Sequence, residues 1–218
     1  MISVVFCDLG GVIFHDFFSG GGSEFVTALG LPREKIVDAY LKTDVAEYSE
    51  GKIDDLERWR MFTEELGLPE DKVQVCIEAF YRGYAPIQET IAFVQELKRD
   101  FPDLRLGVIS DQPEGIAGFL REKYKKVFAL FDGELVLIST EVGMSKKTEN
   151  LELYREAVKR AKKPASELLF VDNSSGNIKN AESVGMKGFF FDIENEDVAT
   201  LVGKLREEIK QQYNFQRF

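Results

Sequence analysis

The sequence predicts a three-layer α/β fold, with a mostly parallel sheet between helices and a small helical domain inserted after the first strand. Three observations carry this. Short runs rich in Val, Ile and Leu alternate with helical patterns, as βαβ units with a sheet buried on both faces require. Three of those runs end in Asp8, Ser110 and Asp172, polar side chains at the carboxyl ends of strands, where open α/β sheets bind ligands. After the first run, a stretch of about 70 residues shows helical patterns and no strong strand signal.

Taken in order, Ile2 to Cys7, Leu104 to Ile109, Glu134 to Ile138, Leu168 to Val171 and Gly188 to Phe191 read as strands. Residues 1–16 and 87–218 form the α/β core and residues 17–86 the helical insertion. Within the insertion, Pro32 sits near a helix start, Asp54 and Glu57 have capping-box spacing, and Gly67-Leu68-Pro69 is a helix stop. The Gly20-Gly21-Gly22 run reads as a flexible hinge or a turn. Ile87 to Lys98 aligns Ile87, Ile91, Val94 and Leu97, and Leu151 to Ala161 aligns Leu151, Tyr154, Ala157 and Val158, so both are crossover helices. Glu194 to Gln212 reads as a last amphipathic helix carried by Val198, Leu201, Leu205 and Ile209, ahead of a chain end containing Phe215 and Phe218.

Composition narrows the function classes. With 218 residues, 44% hydrophobic and 30% charged, the chain has material for a sizeable core, which excludes disorder and fibrous repeats. A formal net charge of -10 repels phosphate backbones and anionic lipid, so neither nucleic acid nor a membrane surface is an expected partner. No apolar run approaches the roughly 20 residues of a bilayer span. The start, Met1 to Phe6, has no basic segment and no small-residue cleavage site, and a cytoplasmic protein is expected. Cys7 and Cys76 lie in apolar stretches as buried free thiols do, and one histidine with two distant cysteines cannot assemble a zinc site.

The most informative segment is Val4-Val5-Phe6-Cys7-Asp8-Leu9-Gly10-Gly11-Val12. A carboxylate at the end of an apolar strand can serve as a covalent nucleophile, and glycines let the backbone approach an anion. Taken alone, the segment reads equally as a strand-end turn. Its weight comes from company: Val108-Ile109-Ser110, a lysine in Glu141-Val142-Gly143-Met144-Ser145-Lys146, and Phe170-Val171-Asp172-Asn173 with Asn177-Ile178 follow in that order. Over nearly its whole length the chain resembles the haloacid dehalogenase (HAD) superfamily, with a Rossmann-like core and a helical cap in the position of residues 17–86.

The resemblance implies a Mg2+-dependent phosphomonoester hydrolase acting on a small phosphorylated metabolite, such as a sugar phosphate. Asp8 would be the nucleophile, Ser110 a donor to a phosphoryl oxygen and Lys146, preferred to the adjacent Lys147, the balancing cation. Gly10, Gly11, Ser110, Asp111 and Lys146 would line the substrate, and Mg2+ would sit on Asp8, the Gly10 carbonyl and Asp172, with Asn173 reaching it through water. A monomer or homodimer is expected.

Three positions depart from the family's usual pattern. Gly10 stands where its phosphatases carry an aspartate that protonates the leaving group, a change worth about 10²–10⁴ in rate. A subgroup of the superfamily that has glycine there includes active sugar-phosphate phosphatases. Asn173 replaces a second acid, and Asp111 an asparagine. His15 is a candidate for the missing proton transfer, and Asp16 a second one. Two other readings stand beside the phosphatase: a HAD-like protein impaired in catalysis that binds a phosphorylated ligand or a protein, and a metal-independent haloacid dehalogenase.

Overall fold

The structure is a computed structural model describing residues 1–44 and 46–214. Phe215 and Phe218 lie outside the described residues. Five parallel strands form one sheet in the order β3-β2-β1-β4-β5, with β1 Val4–Cys7, β2 Arg105–Ser110, β3 Val136–Ile138, β4 Leu168–Asp172 and β5 Lys187–Phe190. The period-2 alternation of side chains gives each strand two apolar faces. Val5 and Cys7 face one layer, packed by α6 Gln88–Asp100, α7 Glu114–Lys123 and α12 Val198–Asn214 through residues such as Val94, Leu97, Ile116, Leu201 and Ile209. Val4 and Phe6 face the other, packed by α10 Glu152–Ala161 and α11 Ser175–Ser183 through Leu153, Tyr154, Ala157, Ile178 and Ala181.

Strand limits shift by one or two residues from the sequence reading. Gly133–Leu135 is a 3₁₀ turn, which leaves only three residues for β3. β5 is an edge strand with Phe190 exposed and pointing to the cleft described below, whereas Phe191, just past it, is fully buried.

Between β1 and α6 the chain runs through α1 Gly22–Leu29, α2 Arg33–Lys42, α3 Ala46–Ser49, α4 Asp55–Glu65 and α5 Lys72–Gly83. Asp54 caps α4 by accepting from the Glu57 N–H at 2.8 Å. Phe25, Trp59, Phe62 and Phe80 pack tilted or edge-on at the centre of these helices, so the aromatics near the start of the segment are core. Two crossing connections tie the segment to the sheet: the His15 N–H donates to the Ala85 carbonyl and the Ile87 N–H to that of Ile13.

The glycine run takes the second of its two readings, a turn. Phe17–Gly21 is a helical turn capped by Asp16 and kinked at Gly20, whose backbone is extended, and α1 follows at once. A Cβ on Gly21 would lie 2.8 Å from the Asp16 carbonyl oxygen, and one on Gly83 would lie 2.8 Å from the Gly21 Cα. These glycines let α1 and α5 cross in close contact, a packing requirement that the sequence run alone does not distinguish from flexibility.

Candidate active site

Parallel register builds the site. Cys7 pairs with Val108 on one side and Val171 on the other, so the next residues, Asp8, Ile109 and Asp172, end neighbouring strands side by side, with Ser110 one step beyond. The Asp8 N–H extends the ladder by one bond to the Val171 carbonyl at 2.9 Å. Asp8 and Asp172 are 7% and 0% exposed, and burying two like charges together requires a compensating cation.

Lys146 supplies it. Its Nζ, on a side chain 4% exposed as a residue, donates to Asp8 Oδ2 at 2.8 Å and to Asp172 Oδ2 at 2.9 Å. Burial opposes the Lys146 charge, yet Asp172, Asp8 and Asp111 outweigh it and hold the ammonium well above the ordinary lysine range. Burial pushes the Asp8 carboxyl above its ordinary range; Lys146 pulls it back, Asp172 pushes it up, and hydrogen bonds from Lys146 and Ser110 lower it. The neighbouring Lys147 is half exposed and lies 3.6 Å from Asp44.

Around this core several polar residues fix the geometry. Asp172 Oδ1 accepts from the Ser174 N–H at 2.7 Å, and Asn177 Nδ2 donates to both Asp172 oxygens at 3.1 and 3.0 Å. Asn177 belongs to the first turn of α11, which Ser174 caps, so the start of this helix delivers a site residue. Gln112, absent from the sequence reading, donates through Nε2 to Ser110 Oγ at 3.1 Å. Its signal in the sequence is only its place two residues after Ser110 at the end of β2.

Four predicted site residues stand differently from expectation. Both Asp111 oxygens are taken by the lysine loop, Oδ1 by the Lys146 N–H and Oδ2 by the Ser145 hydroxyl, each at 2.9 Å, so Asp111 positions Lys146. Gly11 has φ +73°, and a Cβ there would lie 2.1 Å from Asn173 Nδ2. Its N–H is committed to the Phe14 carbonyl at 2.7 Å and is not free for an anion. The Asn173 amide donates to Asp16 Oδ2 at 3.0 Å. His15 packs its ring beside Gly20, is not among the cleft-lining residues, and buries Nδ1 without a hydrogen-bond partner.

The site opens into a cleft of about 560 Å³ whose walls include Asp8, Lys146 and Asn173 on the core side and Asp16, Tyr40 and Tyr84 on the helical side. A larger cleft of about 700 Å³ runs along α4; of the carboxylates that line it, Asp55 is held by the Tyr48 and Tyr81 hydroxyls at 2.6 and 2.5 Å. Among the described residues no three His, Cys, Asp or Glu side chains are grouped to hold a metal. A cation would rest on Asp8, Asp172 and the Gly10 carbonyl. The donor set fits magnesium in kind, being all oxygen. The loop's hydrogen bonds, Gly11 N–H to Phe14 and Phe14 N–H to Leu9, use neither the carbonyl nor the N–H of Gly10. Asp8, Asp111 and Asp172 surround Lys146 and Asp16 lies on the wall of the same cleft, which leaves negative charge for a divalent ion to offset.

The adjacent carboxylates that share one buried lysine lie at the carboxyl ends of a parallel sheet, beside the point where the strand order reverses. No family model matches the sequence. The fold matches solved structures of HAD family enzymes. One from Bacteroides thetaiotaomicron has a TM-score of 0.66 at 19% identity over 92% of this chain and 98% of that one. Its wild-type form has also been solved in complex with magnesium and inorganic phosphate, with a TM-score of 0.65 at 17% identity over 92% of this chain and 99% of that one. An L-2-haloacid dehalogenase from Xanthobacter autotrophicus matches with a TM-score of 0.63 at 19% identity over 86% of this chain and 76% of that one. The chain therefore has the HAD fold, shared by enzymes of more than one chemistry.

Proposed function

We propose that the protein is a magnesium-dependent phosphomonoester hydrolase of the HAD superfamily that acts on a small phosphorylated metabolite through a phospho-Asp8 intermediate. The observation that carries the reading is the Asp8–Lys146–Asp172 cluster, in which a buried strand-end carboxylate has a cation against one oxygen and a second acid beside it. Asp8 Oδ would attack phosphorus in line with the leaving oxygen, while Lys146 balances charge on the phosphoryl group and Ser110 and the Gly10 N–H donate to its oxygens. Magnesium, held by Asp8, Asp172 and the Gly10 carbonyl, supplies further positive charge to that group. The all-oxygen donor set of Asp8, Asp172 and the Gly10 carbonyl, suited to a divalent cation, favours this over a metal-independent dehalogenase.

The helical segment at residues 17–86 would act as a cap, shielding the intermediate from bulk water and choosing the substrate through its cleft wall. The two buried free thiols suit a reducing cytoplasm. Phosphate release from a panel of phosphorylated metabolites, with and without Mg2+, tests the reading. Metal-dependent turnover abolished by Asp8→Asn is expected. A folded protein that releases no phosphate above the variant's background, or that dehalogenates 2-haloacids without metal, would overturn it.

A further inference from the structure

The loop that follows the nucleophile has no carboxylate at position 10, and the backbone is not the reason. Gly10 lies outside the left-handed region, so its conformation accepts any residue. Space there is tight rather than closed: a Cβ built on Gly10 would lie 3.3 Å from Asp16 Cβ, 3.7 Å from Gln112 Nε2 and 3.9 Å from Asp16 Oδ2. The Asp16 carboxylate thus lies within van der Waals reach of the position from which a residue-10 side chain would start.

That side chain is fixed in place. Asp16 Oδ1 accepts from the Ser19 N–H at 2.7 Å, and the Asp16 N–H donates to the Ser19 hydroxyl oxygen at 2.8 Å. Oδ2 accepts from Asn173 Nδ2 at 3.0 Å and lies on the wall of the same cleft as Asp8 and Lys146. Asn173 itself is locked by Gly11, since no Cβ fits between them. Oδ2 carries one donor and keeps a lone pair for another partner.

We propose that Asp16 is the general acid and base of this site, its carboxyl group lying beside the position from which a side chain on residue 10 would start. The inference rests on the phosphatase reading. In the first half-reaction an Asp8 oxygen bonds to phosphorus, the bond to the ester oxygen breaks with its electron pair staying on that oxygen, and the Asp16 carboxyl gives it a proton, releasing the alcohol. In the second, water bonds to phosphorus and its proton goes to the Asp16 carboxylate. The bond between phosphorus and Asp8 breaks, restoring the Asp8 carboxylate and releasing inorganic phosphate.

The test uses the full chain with Mg2+ and three probes of rising leaving-group basicity: p-nitrophenyl, phenyl and benzyl phosphate. Asp16→Asn keeps an acceptor for the Ser19 N–H and removes the proton. Its loss in kcat/KM is expected to grow along the series, reaching about 10²–10⁴ for benzyl phosphate and staying at least tenfold smaller for p-nitrophenyl phosphate, whose leaving group departs without help. Acid quenching should trap phospho-Asp8 in this variant during p-nitrophenyl phosphate turnover, because the attacking water has lost its base. A purely structural role would give a loss equal across the three esters and no trapped intermediate, and that result would overturn the proposal. If Asp16→Asn does not fold, Gly10→Asp in an Asp16→Ala background decides the case. At least tenfold recovery over Asp16→Ala on benzyl phosphate is expected, and its absence in a folded protein counts as refutation. Asp8→Asn separates the two levels: turnover that survives it sinks the phosphatase reading, whereas turnover that it abolishes, with a uniform Asp16→Asn loss, sinks only the assignment of Asp16.

Discussion

Replacing Lys146 with methionine removes the one ammonium that contacts Asp8 and Asp172 while keeping an apolar stem of similar length. Breaking a buried ion pair by deleting one partner costs about 3–5 kcal/mol, since a charge is left buried and unpaired. At about 2–4 °C per kcal/mol for a chain of this size, Tm should fall by roughly 6–20 °C. The measurement is thermal or urea unfolding in EDTA, so that no bound ion masks the loss. Asp8 is already raised in the folded state, and removing Lys146 takes away the influence that lowers it most. Between the unfolded aspartate value and this raised one the folded state binds more protons than the unfolded state, so stability increases as pH falls. The deficit should therefore be largest near about pH 8 and shrink toward about pH 5. Adding Asp8→Asn should recover part of it, because one of the two stranded carboxylates is gone. A loss below about 1 kcal/mol, or one independent of pH, would mean that the ammonium is exchanged easily for water and that the three groups are not a buried electrostatic unit.

Other outcomes follow from the same geometry. Asn177→Ala removes the Nδ2 bonds to both Asp172 oxygens and should cost about 1.5–3 kcal/mol in denaturant unfolding and lower turnover as well. Gly11→Ala places a Cβ 2.1 Å from the Asn173 amide at φ +73°, and should destabilise by about 1–3 kcal/mol while displacing Asn173; a neutral effect would mean the loop relaxes freely. Burial raises the Cys7 and Cys76 thiols to about 12, so neither should react with a disulfide reagent at about pH 8 until the protein is unfolded, when both should react within seconds to minutes. Saturating Mg2+ at about 100 times its Kd should stabilise the native chain by about 2.7 kcal/mol, and Asp172→Asn should abolish that shift in a melting experiment.

The sheet was legible because strands buried on both faces are written as continuous apolar runs, and their polar last residues announce which end is functional. Register then did the rest: once β1 lies between β2 and β4, Asp8 and Asp172 must be neighbours. What could not be read is tertiary in origin. Gln112 is an ordinary residue just past the end of β2 and joins the site only when β2 flanks β1; Asn177 stands in the motif with Asp172, yet its bonds to both Asp172 oxygens become visible only in the fold. Asp111 looks like a ligand contact from its position after Ser110, but a loop 35 residues away claims both its oxygens. The Gly20 to Gly22 run is ambiguous because flexibility and close packing call for the same residue, and the partner that decides between them, Gly83, is distant in sequence.

Charge explains why these pieces come together. Parallel register forces two aspartates side by side at strand ends where water is largely excluded, an arrangement that is costly unless a cation is delivered to both. The lysine that delivers it comes from a loop with no strand of its own, so its placement needs a second tether. Asp111 provides that tether from β2 by holding the Lys146 N–H and the Ser145 hydroxyl. The tether adds another negative charge beside the ammonium, and Asp16, held by Asn173, brings a further carboxylate to the same cleft. Each acid that fixes the geometry increases the charge left over after Lys146 is counted. An anionic substrate alone would make that imbalance worse, so the carboxylates and a phosphoryl group can share this cleft only with an added cation between them.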